Sequence, residues 1–127
     1  NTDYATDGRF KIDLITDQLA AKEMSIARFY METQKWIPAL NRLKTVAEKY
    51  EKTVFVEEAL HRLVEVYYRL GLIDEAKKAA AILGYNYQSG DWYKRSYKVF
   101  NKKYKPKKIK KKKEMGLIRR KIKNLFE

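Results

Sequence analysis

With 127 residues, 45% of them apolar, and only two prolines and five glycines, the chain has the length of one domain and the composition of packed helices, not of a turn-rich β fold. The absence of cysteine excludes disulfides, thiolate catalysis and cysteine zinc sites within the chain. The net charge of +13 is concentrated: residues 102–127 hold thirteen Lys/Arg against Glu114 and Glu127, which leaves +2 for residues 1–101, so the basic character belongs to an appendage on a nearly neutral body.

Thr2 or Asp3 can cap a first helix through Tyr4, Phe10, Ile12, Leu14, Ile15, Leu19, Met24, Ile26, Ala27 and Tyr30, whose spacing is helical. Gly8 weakens its first turns by roughly 1 kcal/mol relative to Ala. The polar cluster Thr16-Asp17-Gln18 is the one place where it could divide, but neither Gly nor Pro marks a stop there, so one helix of about 28 residues is expected. Because the chain opens on Asn1 inside what reads as a helix cap, it is expected to be part of a longer protein. No run of about 18 apolar residues occurs, so no membrane-crossing helix is expected.

A turn at Thr33-Gln34-Lys35 leads to a second helix from about Trp36 to Tyr50, with Pro38 in its first turn, where a missing N–H is harmless. Ala39, Leu43, Val46 and Tyr50 form its inward stripe, and Asn41, Arg42 and Lys49 point elsewhere. A third helix carries Leu60, Leu63, Val64 and Tyr67 and is expected to end at Gly71, in the left-handed conformation that closes many helices. The adjacent carboxylates Glu57/Glu58 and Asp74/Glu75 suit helix N-terminal turns better than paired acid/base work. The fourth helix runs from about Asp74 to Leu83 and stops at Gly84, followed by a loop from Tyr85 to Gly90. Ser89 or Asp91 can cap a fifth, which places Trp92, Tyr93, Tyr97, Val99 and Phe100 against Lys94, Arg95, Lys98 and Lys102.

These elements repeat. Leu60, Leu63, Val64, Tyr67 and Ala76 fill the slots of a tetratricopeptide (TPR) repeat, and Ile26, Ala27, Tyr30, Ala39 and Leu43 match Leu63, Val64, Tyr67, Ala76 and Ala80 in an earlier copy. Tyr30 to Tyr67 and Ala39 to Ala76 are both offsets of 37, about three more than the usual period, and the extra residues fall at Glu51-Lys52-Thr53. Glu23 stands where a large apolar residue is expected. The fold expected is an all-α TPR solenoid: residues 1–101 as a long helix, about two repeats and a capping helix, then a basic tail, 102–127. Lys102 to Lys113 is expected to have no fixed structure. Met115, Ile118, Ile122 and Leu125 or Phe126 then mark a short amphipathic helix opposite Arg119, Arg120, Lys121 and Lys123.

Catalytic signals are missing. His61 is the only histidine and is expected at the surface or in a groove, with no second metal ligand at a suitable offset. No phosphate loop or nucleophile elbow occurs, so no enzyme activity, cofactor or metal is expected.

The wording of the repeats is more specific than their pattern. Leu19-Ala20-Ala21-Lys22-Glu23-Met24, Ala27-Arg28-Phe29-Tyr30, Trp36-Ile37-Pro38-Ala39-Leu40-Asn41-Arg42, Glu58-Ala59-Leu60-His61-Arg62-Leu63 and Gly84-Tyr85-Asn86-Tyr87 with Trp92-Tyr93 together resemble the BamD family, in its α-proteobacterial form, over about residues 1–101. The resemblance implies a non-enzymatic TPR lipoprotein of the outer-membrane β-barrel assembly machinery, on the periplasmic side of the outer membrane. The lipid anchor is absent from this sequence. It further implies docking on the periplasmic POTRA domain of BamA and contact with other lipoproteins of the machinery. Asn41 and Arg42 match the pair near that contact, with Lys49 a weaker companion on the face of Arg42. The alternative is a TPR adaptor whose basic tail binds nucleic acid or an anionic membrane surface. The tail is expected first to be a solvated charge run, next to contact an anionic membrane or glycan surface, and last to bind nucleic acid, for which only the tail has the charge.

Overall fold

The computed structural model describes residues 2–87 and 90–101, and every described element is helical. In chain order they are α1 (Thr2–Glu32), α2 (Trp36–Lys49), α3 (Val56–Arg69), α4 (Ile73–Tyr87) and α5 (Asp91–Phe100). Helices α1 and α2 pack as one antiparallel pair and α3 and α4 as the next, with α5 laid against α3 and α4. This is the all-α, TPR-like stack that the repeat pattern predicts, closed by a final helix.

Helix α1 is continuous through Thr16-Asp17-Gln18. The Thr16 hydroxyl donates to the Ile12 carbonyl at 2.8 Å, so this polar side chain is satisfied within the helix and does not end it. Thr2 and Asp3 already lie in the first turn, and neither is the N-cap.

The apolar pattern of α1 is uneven in its use. From Ala20 onward its stripe is covered, with Ala20, Met24 and Ala27 fully buried, whereas Tyr4, Phe10, Ile12, Leu14, Ile15 and Leu19 are exposed. Length accounts for this: the 31 residues of α1 span about 46 Å and the 14 of α2 about 21 Å, so α2 reaches only the second half of α1. Ala39, Leu43 and Val46 of α2, the expected inward stripe, are fully buried and joined by Leu40, while Tyr50 is half-buried.

The two repeats end their first helices in the same way, 37 residues apart. At the end of α3 the Leu72 N–H donates to the Tyr67 carbonyl at 2.9 Å and the Gly71 N–H to the Tyr68 carbonyl at 3.1 Å, with Gly71 at φ 80°. At the end of α1 the Lys35 N–H donates to Tyr30 at 2.8 Å and the Gln34 N–H to Met31 at 3.1 Å, with Gln34 at φ 59°. Both are Schellman closures, which need a left-handed residue at their penultimate position. Gly71 adopts it freely, and Gln34 adopts it against the steric preference of a Cβ.

Gly84 does not stop α4, which continues to Tyr87, so Tyr85, Asn86 and Tyr87 are helical instead of looped. The reason for glycine there is tertiary: a Cβ at Gly84 would lie 2.7 Å from Cε2 of Tyr93, so its absence lets α5 approach α4. The N-cap of α5 is Gly90, and Asp91 is already in its first turn. Ser89, the other expected cap, lies outside the described residues, as do the whole of 102–127 and its expected amphipathic helix.

The paired closures give a stability test. Gln34→Gly should raise the unfolding free energy by about 0.5–1 kcal/mol, and Gly71→Gln should lower it by a similar or larger amount. Urea unfolding followed by circular dichroism checks both; a lower midpoint for Gln34→Gly than for the parent chain would mean that the left-handed Gln34 is unstrained.

Candidate functional site: the outer face of α2 and the polar seam of α3

Two polar assemblies join charged side chains of different helices. One follows α3, with Glu58 and His61 buried and Arg28 at its edge 42% exposed. The other is on the outside of the α1–α2 pair.

Within the seam, Glu58 comes from the first turn of α3, where a carboxylate suits the helix dipole, and is itself buried. It receives the full fork of Arg28 from α1: Nε donates to Oε1 at 3.0 Å and Nη2 donates to Oε2. That hydrogen-bonded carboxylate raises the Arg28 pKa further, against burial, which lowers it, so the guanidinium stays charged. Arg62, one turn along α3, brings Nε to 3.7 Å from Glu58, too long for a hydrogen bond, and donates Nη1 to Glu65 at 3.2 Å.

His61 is 3% exposed, which corrects the expectation of a surface or groove position. Its Nε2 faces Oε1 of Glu65 at 2.7 Å and its Nδ1 faces the Ser96 hydroxyl of α5 at 2.8 Å. Ser96, fully buried, can also donate to the Trp92 carbonyl at 3.0 Å. If it does, Nδ1–H donates to Ser96; if Ser96 donates to Nδ1 instead, the neutral imidazole is satisfied. Both ring nitrogens are thus engaged in either protonation state, which leaves neither open for a ligand or a substrate proton. The indole of Trp92 lies 5.3 Å from the His61 ring, and Arg62 and Arg95 lie 5.5 and 4.7 Å from the indole centroid. Local spacing carries no sign of this seam, because its pairs between helices are separated by 30 and 35 residues.

On the outer face, Asn41 and Lys49 are exposed and Arg42 is half-buried. The structure puts Asn41 beside Arg42, while Lys49 lies in the last turn of α2, about 10 Å farther along the axis. Arg42 has a partner that sequence reasoning did not identify. Its Nη1 donates to both carboxylate oxygens of Glu23 in α1, at 3.1 Å each. Glu23, the misfit in the first repeat, is therefore the acidic half of an interhelical pair. Its position in an apolar slot was the available signal. The Arg42 side chain stays 42% exposed, against 19% for Glu23.

Comparison with known proteins bears on both assemblies. Residues 1–82 match the YfiO family model, described as an outer membrane lipoprotein. That stretch takes in α1 to α3 and most of α4, and with them Glu23, Asn41, Arg42 and Lys49. The chain is 48% identical over 101 residues to the outer membrane protein assembly factor BamD of Caulobacter vibrioides, covering 80% of this chain and 33% of that protein. It is 50% identical over 99 residues to the BamD of Rickettsia prowazekii, covering 78% and 39%, and 34% identical over 87 residues to that of a serogroup A Neisseria meningitidis, covering 68% and 33%. The chain therefore spans between about a third and two fifths of the length of these relatives.

The seam has a pH signature. Burial pushes the Glu65 carboxyl up, but the hydrogen bond and charge of His61 and the charge of Arg62 outweigh it and hold it below the ordinary 4.5. A carboxylate whose folded pKa is depressed contributes stability that is present above its unfolded pKa and is lost as pH falls through the folded one. Glu65→Gln should therefore be less stable than the parent at pH 7, with the two stabilities converging as pH falls below about 4.5. Urea unfolding at a series of pH values measures the difference; a gap that did not change with pH would show that Glu65 titrates alike in both states.

Proposed function

The chain belongs to the YfiO family of outer membrane lipoproteins, and on that premise we propose that it is part of a non-enzymatic scaffold for assembling and inserting outer-membrane β-barrel proteins. In this reading it works on the periplasmic side of the outer membrane, beside other lipoproteins of the assembly machinery. It docks through the outer face of the α1–α2 pair on the POTRA region of BamA.

Three features support it. The matched relatives are named outer membrane protein assembly factors. Stacked helical pairs make a rigid, extended surface of the kind repeat proteins use to hold partners. The third, on which the choice of site rests, is the geometry of Arg42. Only Nη1 takes part in its recorded bonds to Glu23, and the side chain remains 42% exposed. A guanidinium has five donors in a planar fork, so this one can accept a second carboxylate from outside while keeping the first. Asn41, exposed on the next position, adds an amide that can donate and accept at the same contact. Lys49 extends the basic character of that face as a point charge.

The test has to separate docking from folding, because Arg42→Glu would also set two carboxylates against each other at Glu23. Placed in the full-length protein, Arg42→Glu should abolish co-purification with BamA and lower the melting temperature by a few degrees. The charge-exchanged variant Glu23→Arg/Arg42→Glu should recover the melting temperature and still fail to co-purify. Recovery of co-purification by the exchanged pair would remove Arg42 from the docking surface.

A further inference from the structure

The repeat register singles out one residue behind that surface. With an offset of 37, Glu23 corresponds to Leu60 and Arg42 to Ala79. In the second repeat both of these are buried apolar residues. In the first, the same two slots hold an ion pair. We infer that Glu23 is a positioning residue, which fixes the guanidinium of Arg42 in the orientation that receives an acidic side chain of the docking partner. The inference rests on the proposed role of Arg42 in docking.

Stability does not account for the exchange. A pair whose arginine is 42% exposed is largely screened by water, and pairs of that kind contribute little or nothing to folding. An apolar pair in the same slots, as in the second repeat, would pack at least as well without desolvating a carboxylate.

Geometry gives the alternative, and the molecule contains its own comparison. Arg28 commits Nε and Nη2 to the two oxygens of Glu58, so one edge of its fork is used. Arg42 presents a single nitrogen to both oxygens of Glu23. The first arrangement uses up an arginine's bidentate edge. The second pins the plane at one corner and leaves Nε and Nη2 outside the recorded pair. A long side chain held this way has already lost most of the rotamer freedom that binding would otherwise remove. Against that, the Glu23 charge repels an incoming carboxylate. At the solvent-exposed edge the high dielectric weakens that repulsion and the guanidinium between the two carboxylates offsets it, so the ordering effect outweighs it.

The closing experiment measures the affinity of the full-length protein for the isolated POTRA region of BamA, together with melting temperature, for Glu23→Leu, Glu23→Gln, Arg42→Ala and Glu23→Leu/Arg42→Ala. Glu23→Leu restores the apolar residue of the second repeat and should leave melting unchanged or higher. It should weaken binding about two- to tenfold. Glu23→Gln keeps an acceptor and should fall between Glu23→Leu and the parent protein. In the Arg42→Ala background, Glu23→Leu should have no further effect on binding, because Glu23 acts only through Arg42.

Weakening of the same size in that background would show that Glu23 acts through the structure of α1 and would overturn the inference. So would unchanged or tighter binding by Glu23→Leu while Arg42→Ala binds weakly. If Arg42→Ala itself binds like the parent protein, the docking reading fails first, and the positioning role falls with it.

Discussion

The packing of α3 sets the constraint that the other helices meet. It touches α2, α4 and α5 along its length and receives Arg28 from α1, so nearly every side of it is covered, including the side that carries Glu58 and His61. A helix in that position can leave few polar groups bare, since an unsatisfied buried donor or acceptor costs about 1–3 kcal/mol, and among the described side chains only Arg62 Nε is buried without a hydrogen bond. The neighbours therefore have to bring partners to fixed places, Arg28 from one side and Ser96 from the other. Apolar surfaces tolerate sliding, since one methyl group replaces another. A one-turn slide of α5 would separate Ser96 from His61 in the interior, and a slide of α1 would strand Glu58. The polar seam thus sets the register of the first helices of successive pairs, while the apolar stripe supplies the bulk of the attraction.

That division of labour explains how far a repeat with modified slots can drift. Offsets of 37 relate Tyr30 to Tyr67, Ala39 to Ala76 and Gln34 to Gly71, and the backbone closures at the last pair match bond for bond. The backbone geometry is therefore shared even where the residue types differ. Gln34 does with strain what Gly71 does freely, and Glu23 with Arg42 fills space that Leu60 and Ala79 fill in the second repeat. Departures from the repeat are tolerated where they lie at the surface of a pair, because the buried stripe through Ala27, Leu43, Leu63 and Val64 continues beneath them.

The parts of this structure legible in the sequence are those governed by local periodicity. Five helices, the turn at Thr33-Gln34-Lys35, the left-handed Gly71 and the acidic first turns of α3 and α4 all follow from spacing and cap chemistry within a few residues. Gly84 was misleading for the opposite reason. Its lack of a side chain serves Tyr93 on the next helix, and a local rule reads any glycine late in a helix as a stop. His61 was misplaced because its partners are Glu65, one turn away and ambiguous alone, and Ser96 on another helix. The exposure of Tyr4 to Leu19 was illegible as well: periodicity shows that a face is apolar, and only the length of α2 shows how much of it is covered. Among the site residues, the exposure of Asn41 and Lys49 follows from the stripe, but the engagement of Arg42 by Glu23 needed the two helices side by side.

Charge distribution bears on how such a surface can be specific. Residues 1–101 carry a net charge of only +2, so the folded body has little long-range field with which to attract a partner. The +11 of residues 102–127 provides such a field, but a run of lysines attracts anionic surfaces without regard to their detailed shape. For the proposed docking face, selectivity has to come from a few directional contacts on elements that do not move. Helix α2 meets this need, because it is packed against α1 and α3 and its buried stripe of Ala39, Leu40, Leu43 and Val46 fixes its rotation. What rigidity of the backbone leaves undetermined is the last few torsions of a long side chain. In a nearly neutral scaffold, a local carboxylate beside an exposed arginine settles those torsions without adding net charge, which separates the direction of a contact from the strength of the overall field.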